Sequence, residues 1–175
     1  MSVHIIVDGY NVIRQSPVIG PLDRQDLQLG REALVDKLAA YKRLKGHKIT
    51  VVFDGTGEAV LFENRDHEKG ILIKFSRHGE TADSVIKRMV TREKQRALVV
   101  SSDREVADSS ASQGAATISA VEFEEKMEMA AFMDLKGISP ESGVDDGWVP
   151  TTKKKGPSKR LPKKKRLNKK RLKKL

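Results

Sequence analysis

Residues 4–13 read HIIVDGYNVI. A short, β-branched run ends at Asp8, Gly9 follows, and Asn11 stands three positions after the aspartate. Val3 to Val7 is brief and apolar without alternation, the pattern of a strand buried on both faces. Asp, Gly and Asn after a strand are ordinary turn residues, because glycine accepts positive φ and Asx side chains bond nearby backbone. Whether Asp8 does more than turn the chain depends on how the other strands end.

Four further runs read as strands: KITVVF (48–53), ILIKF (71–75), ALVV (97–100) and AATI (115–118). AVLF (59–62) reads as a short extra strand or a loop segment, and a loop rich in Pro, Gly and Asp is expected from the first strand to about Gln25. Leu34, Leu38, Tyr41 and Leu44 are spaced as one helix face, with Gly46 as its stop. Ala82, Val85, Ile86, Met89 and Val90 form a second face. Ser102 and Glu105 have capping-box spacing, predicting a short helix from Asp103; Ser119 and Glu122 repeat the spacing ahead of a helix to about Leu135. Strands alternating with helices predict an α/β fold: a mostly parallel five-stranded sheet flanked by helices. Right-handed crossovers then bring every strand's carboxyl end to one edge, where open α/β sheets bind ligands.

At that edge the first strand delivers Asp8, the second Asp54, the third SRHGETADS with Glu80 and Asp83, and the fourth Asp103. The fifth delivers Ser119. Two carboxylates about 4 Å apart repel by roughly 4 kcal/mol at an effective dielectric near 20. Several such pairs rival a whole domain's stability of about 5–15 kcal/mol. Such groups must stand apart, take up protons, or share a divalent cation. Hard oxygen donors without cysteine favour Mg²⁺ or Mn²⁺, which keep several waters and leave room for phosphate oxygens. A cation held there can activate water and offset charge on a phosphodiester. On this reading Asp8 is a metal ligand, Asn11 orients a water, ligand or phosphate, and Gly9 lets the backbone pass close to the site.

Charge is divided sharply along the 175 residues. Positions 151–175 hold 14 Lys or Arg and no acidic residue, whereas positions 1–150 hold 20 basic and 24 acidic residues. The chain is therefore expected to comprise a domain over 1–135, a linker or lightly packed extension over 136–150 whose Trp148 docks on the surface or touches a partner, docking being favoured, and a disordered or conditionally helical basic tail over 151–175. The tail's cations are Lys153, Lys154, Lys155, Lys159, Arg160, Lys163, Lys164, Lys165, Arg166, Lys169, Lys170, Arg171, Lys173 and Lys174. Leu167, Leu172 and Leu175 make no wide apolar stripe, so RNA is the expected partner and a membrane surface is not. The lack of cysteine rules out disulfides and thiolate zinc sites. No secretory leader or long apolar run is evident, and a cytoplasmic location is expected.

VDGYN, VVFDG, ETADS and SSDREV, in this order, resemble the NYN domain family within the PIN-like nucleases, and its YacP-like bacterial branch most. The resemblance covers about residues 3–135, without the basic tail. It implies a parallel sheet sandwiched by helices and a metal-dependent ribonuclease, some members of the branch being ribosome-associated mRNA endonucleases. Residue by residue it implies catalytic or metal-binding roles for Asp8, Asn11, Asp54, Asp83 and Asp103. Glu80 would support them from behind, and Ser102 would steer Asp103 or bind phosphate. The partner is then RNA, messenger or ribosomal, with the ribosome as a possible anchor for the tail.

Other residues read more plainly. His4, His47, His67 and His78 share no metal-ligand spacing, and His4 reads as a packed strand residue. DGTGEA (54–59) lacks the third glycine of a dinucleotide fingerprint and the Gly-Lys-Ser/Thr of a P-loop. Arg77, Arg88 and Arg104 are explained equally by phosphate contact or by helix-surface solvation. Two rivals stand beside the nuclease reading. One is a non-catalytic RNA- or ribosome-binding module with a metal-stabilised acidic pocket. The other is a phosphotransfer receiver, disfavoured because SAVEFEE follows the last strand where such a domain needs lysine.

Overall fold

In chain order the elements are β1 (His4–Asp8), α1 (Gly9–Gln15), α2 (Gly20–Gln25), α3 (Leu27–Lys45), β2 (Lys48–Phe53), β3 (Arg65–Glu68), β4 (Ile71–Phe75), α4 (Ala82–Glu93), β5 (Ala97–Val100), α5 (Arg104–Ser112), β6 (Ala116–Ile118), α6 (Ala120–Leu135) and α7 (Lys163–Leu172). This computed structural model describes residues 3–55, 65–137 and 163–175, with the side chains of Arg65, Asp66, Lys163 and Lys164 left aside. The AVLF segment and Trp148 lie outside the described residues.

The strands form one sheet in the order β3-β4-β2-β1-β5-β6. All neighbours are parallel except β3, which runs antiparallel to β4. Among the described residues the sheet thus has six strands, not five. RDHE (65–68) carries no apolar signal because an edge strand needs to bury little. It is joined to β4 through Lys69 and Gly70, both with positive φ (50° and 82°), as a type I′ hairpin turn requires.

The stretch after β1 is also more regular than expected. Where a loop was predicted, α1 and α2 form, each too short to show a periodic apolar face. Asp8 caps α1 by accepting from the Asn11 amide, and Val12 and Ile13 turn into the core. Asp26 caps α3, and Gly46 ends it in the left-handed region at φ 69°. Leu34, Leu38 and Tyr41 are buried as their spacing predicts, but Leu44 is 37% exposed.

Alternate strand residues feed two cores. Ile5, Val7, Val51 and Phe53 pack with α1, α3 and α6 on one face. Ile6, Val52 and Val99 pack with Val85, Ile86 and Val90 of α4 and Val106 of α5 on the other. His4 is a packed strand residue, its Nε2 2.8 Å from the Thr50 hydroxyl.

Residues 163–175, with α7 over Lys163–Leu172, dock on the chain's own body. The Asn168 amide accepts from the Thr117 N–H at 3.1 Å and donates to the Thr117 carbonyl at 3.4 Å, closing the open edge of β6. Arg171 donates to the Gly114 carbonyl at 2.8 Å, and the Tyr41 hydroxyl donates to the Leu175 carbonyl at 2.8 Å. Leu175 is buried and Leu172 packs against the α1/α3/α6 core. A wide apolar stripe is unnecessary because hydrogen bonds to Thr117 and Gly114 share the contact with Leu172 and Leu175.

Candidate active site

The strand order reverses between β1 and β5, so the crevice at their carboxyl ends is the switch point of the sheet. Asp8 closes β1 and is 8% exposed. Its Oδ2 accepts from the Ser101 hydroxyl at 3.0 Å and its Oδ1 from the Asn11 amide at 3.4 Å. The Ser101 Oγ also accepts from the Asp103 N–H at 3.1 Å, so one hydroxyl ties the exit of β5 to the exit of β1. Burial pushes the Asp8 carboxyl up to about 6, and the fields of Asp83 and Asp54 push the same way against those two hydrogen bonds.

Asp54 follows β2, and its Oδ1 accepts from the Ala82 N–H at 2.5 Å, binding it to the first turn of α4. Asp83 lies in that same turn, behind the Thr81 cap. Its carboxyl is raised by partial burial and by the charges of Asp103 and Asp54, with Lys87 opposing. Asp103 is the N-cap of α5: Oδ1 accepts from the N–H groups of Glu105 at 2.8 Å and Val106 at 3.2 Å. The four aspartates therefore share one electrostatic neighbourhood, coupled from Asp8 through Asp54 and Asp83 to Asp103.

Backbone approach around them is close. A Cβ on Gly9 would lie 2.3 Å from Cε1 of the buried Phe53 ring. A Cβ on Gly55 would lie 2.3 Å from the Ser76 carbonyl oxygen, while the Gly55 N–H donates to the Ser76 hydroxyl at 3.0 Å.

Asn11 is anchored by the residue after Ser101, and Ser102 is placed differently from its expected capping role. The Asn11 Oδ1 accepts from the Ser102 N–H at 2.8 Å, fixing the amide beside the crevice with its NH₂ free among the described residues. Ser102 does not cap α5; Asp103 does, one residue later. The Ser102 hydroxyl instead accepts from the Ala120 N–H at 3.0 Å and joins β5 to α6. By contrast, the Ser119–Glu122 capping box forms as predicted. Glu80 pairs with the Arg88 guanidinium and accepts weakly from the Arg77 amide at 3.5 Å, with no bond to the aspartates.

Two residues are additional to those the sequence marks. Ser101 is the hinge of the hydrogen bonding around Asp8. Lys87 forms a 2.8 Å ion pair with Glu105 across α4 and α5 and feels both Asp83 and Asp103. Lys87 was legible as the residue four after Asp83, one helical turn on.

Among the described residues, no three His, Cys, Asp or Glu side chains close into a preformed metal cage. The donor set nevertheless fits a hard divalent cation. Among the described residues, Asp83 makes no hydrogen bond, Asp54 and Asp103 each keep one oxygen uncommitted, and Asp8 has no cationic partner. Mg²⁺ takes one or two carboxylates directly and fills its shell with water, so a loose set suits it.

Carboxylates at the carboxyl edge of an open parallel sheet, beside its switch point, are the layout of a PIN-like nuclease domain. The chain belongs to the YacP-like NYN domain family, whose model matches residues 5–175 and so includes the basic tail. Uncharacterized protein YacP of Bacillus subtilis is 31% identical over 85 residues, 49% of each chain, so the match spans about half that relative's length. The crystal structure of Rae1 (YacP) from Bacillus subtilis is similar with a TM-score of 0.64 and 26% identity, over 79% of this chain and 80% of that one. A point variant of Rae1 gives the same TM-score at 25% identity, over 76% and 79%. Among the described residues, no helix is long and apolar enough to cross a membrane.

Proposed function

We propose that the protein is a divalent-metal-dependent endoribonuclease that works in the cytoplasm and is held on RNA, or on the ribosome, by its basic C-terminal segment. The observation that carries this reading is the coupling of Asp8, Asp54, Asp83 and Asp103 at the switch point of a nuclease-family sheet.

Asp8, Asp54, Asp83 and Asp103 would hold Mg²⁺ or Mn²⁺. When bound, such an ion offsets charge developing on a phosphodiester and makes a nearby water more acidic. Asp8 keeps its orientation through Ser101 and the Asn11 amide. Asp103 is held by its Oδ1 bonds to the first turn of α5, which leaves Oδ2 available to an ion. Asn11, immobilised by Ser102, has two amide hydrogens to give a phosphate oxygen. Lys87 offsets part of the local negative charge and can approach a substrate phosphate from α4.

The basic segment would provide the grip. Lys165, Arg166, Lys169, Lys170, Lys173 and Lys174 are exposed on or just beyond α7, whereas Arg171 is half-buried and committed to Gly114. Contacts of this kind read phosphate and not sequence. Lys153, Lys154, Lys155, Lys159 and Arg160 would add to the same phosphate grip and lie outside the described residues.

The test is cleavage of single-stranded RNA with Mg²⁺ or Mn²⁺ by wild type, Asp8→Asn and Asp103→Asn. Cleavage inside the strand that both substitutions abolish supports the proposal. RNA binding without turnover at any metal concentration would make the protein a binding module instead.

A further inference from the structure

Arg31 stands on the first turns of α3, at the same sheet edge as the aspartates, because α3 runs back from that edge to the start of β2. Its guanidinium lies over three rings: Phe75 at 5.2 Å, Tyr10 at 5.5 Å and Phe53 at 5.6 Å from the centroids. Nε donates to the Tyr10 hydroxyl at 2.9 Å, and Nη2 donates to the same oxygen. Those rings are the last residues of β2 and β4 and the second residue after Asp8. The Arg31 side chain is half-buried, and it pairs with no carboxylate among the described residues.

A guanidinium has five N–H donors in a rigid fork. Tyr10 takes two, leaving three without a protein acceptor among the described residues. The rings restrain the plane and strip water from one face, so little freedom remains to be lost when an anion arrives. A positive group prepared in this way beside a nuclease crevice suits a phosphate.

Strand geometry says which phosphate. Phe53 packs into the α1/α3/α6 core, whereas Asp54 bonds to α4 on the other face. Arg31 therefore sits across the rim of the sheet from the carboxylates. We propose, resting on the ribonuclease reading, that Arg31 is a substrate-positioning residue that grips an RNA phosphate flanking the scissile one and leads the strand over the ends of β2 and β4.

The test uses the full chain and a single-stranded RNA oligonucleotide. Binding is measured against salt in an Asp103→Asn background, and cleavage in the active background. Arg31→Ala should weaken binding about tenfold and flatten the log–log salt slope by about 0.7, the value of one single-strand phosphate contact. It should raise KM while kcat stays within about twofold, and Arg31→Lys should recover part of the affinity. Arg31→Ala that lowers Tm but leaves affinity and salt slope intact would make Arg31 a strut for Tyr10 and overturn the proposal. A loss in kcat alone would also overturn it. Wild type that neither binds nor cleaves RNA would instead remove the ribonuclease reading, before any Arg31 variant is compared.

Discussion

The Ser101 hydroxyl donates to the Asp8 carboxylate at 3.0 Å while accepting from the Asp103 N–H at 3.1 Å, so a single oxygen sets the relative position of two aspartates 95 residues apart. Its bond to Asp8 is also the largest influence opposing the burial that raises that carboxyl. Ser101→Ala should let the Asp8 carboxyl rise further above about 6. The acid limb of the kcat/KM profile should then move to higher pH. Stability should fall by about 1 kcal/mol, the usual worth of one such hydrogen bond. A pH–rate series with a denaturation curve checks both.

Asp8 itself should cost stability when no metal is bound. Its folded-state carboxyl is raised to about 6 from 3.8, so the native state holds that proton more tightly than the unfolded chain. The stabilisation is complete below 3.8 and is lost as pH rises through about 6. In EDTA at pH 7.5, Asp8→Asn should therefore be more stable than wild type by on the order of 3 kcal/mol. At pH 3.5 the advantage should vanish. Added Mg²⁺ should raise the Tm of wild type and do little for Asp8→Asn, as thermal scans at the two pH values will show.

Asp103 holds a helix cap as well as a place in the crevice, and two substitutions separate these roles. Asparagine caps a helix about as well as aspartate, and alanine does not. Asp103→Asn should keep wild-type Tm and lose cleavage by more than about a hundredfold, the scale on which removal of one electrostatic catalytic group acts. Asp103→Ala should lose activity and, in addition, about 1 kcal/mol of stability.

Gly55→Ala tests the close approach behind Asp54. The added Cβ would meet the Ser76 carbonyl oxygen at 2.3 Å, and backbone cannot swing aside as a side chain can. Urea denaturation should show a loss of roughly 1–3 kcal/mol, the usual cost of overpacking. Cleavage should fall too, because Asp54 moves with its neighbour.

The tail helix has a structural face and a free face. Replacing Lys169, Lys170 and Lys173 by Gln should leave Tm almost unchanged and flatten the salt dependence of RNA binding by about 0.7 per lost contact. Asn168→Ala should do the reverse, lowering Tm by exposing the edge of β6 while sparing the salt slope. Fluorescence anisotropy across a salt series, paired with thermal melts, separates the two.

Much of this protein was legible from its chain alone. Parallel strands buried on both faces are unbroken apolar runs, so five of the six strands showed themselves and so did the acidic residues at their ends. RDHE did not, because an edge strand can be polar and its pairing with β4 rests on the Lys69–Gly70 turn. Capping-box spacing pointed to Ser102 where Asp103 caps the helix, since the exit of β5 turns Ser102 toward Ala120. The docking of the tail was invisible, because Asn168, Arg171 and Leu175 meet partners 51, 57 and 134 residues away.

What the sequence determined by itself was local: which segments extend, where each stops, and which side chain stands at each stop. Only the tertiary structure decided that Asp8 would be buried beside Ser101, within the fields of Asp54 and Asp83, and that Arg31 would lie on three aromatic rings. Propensity and capping act between near neighbours in the chain. Burial and Coulomb energy act between neighbours in space, and those are assigned when the strands take their order in the sheet.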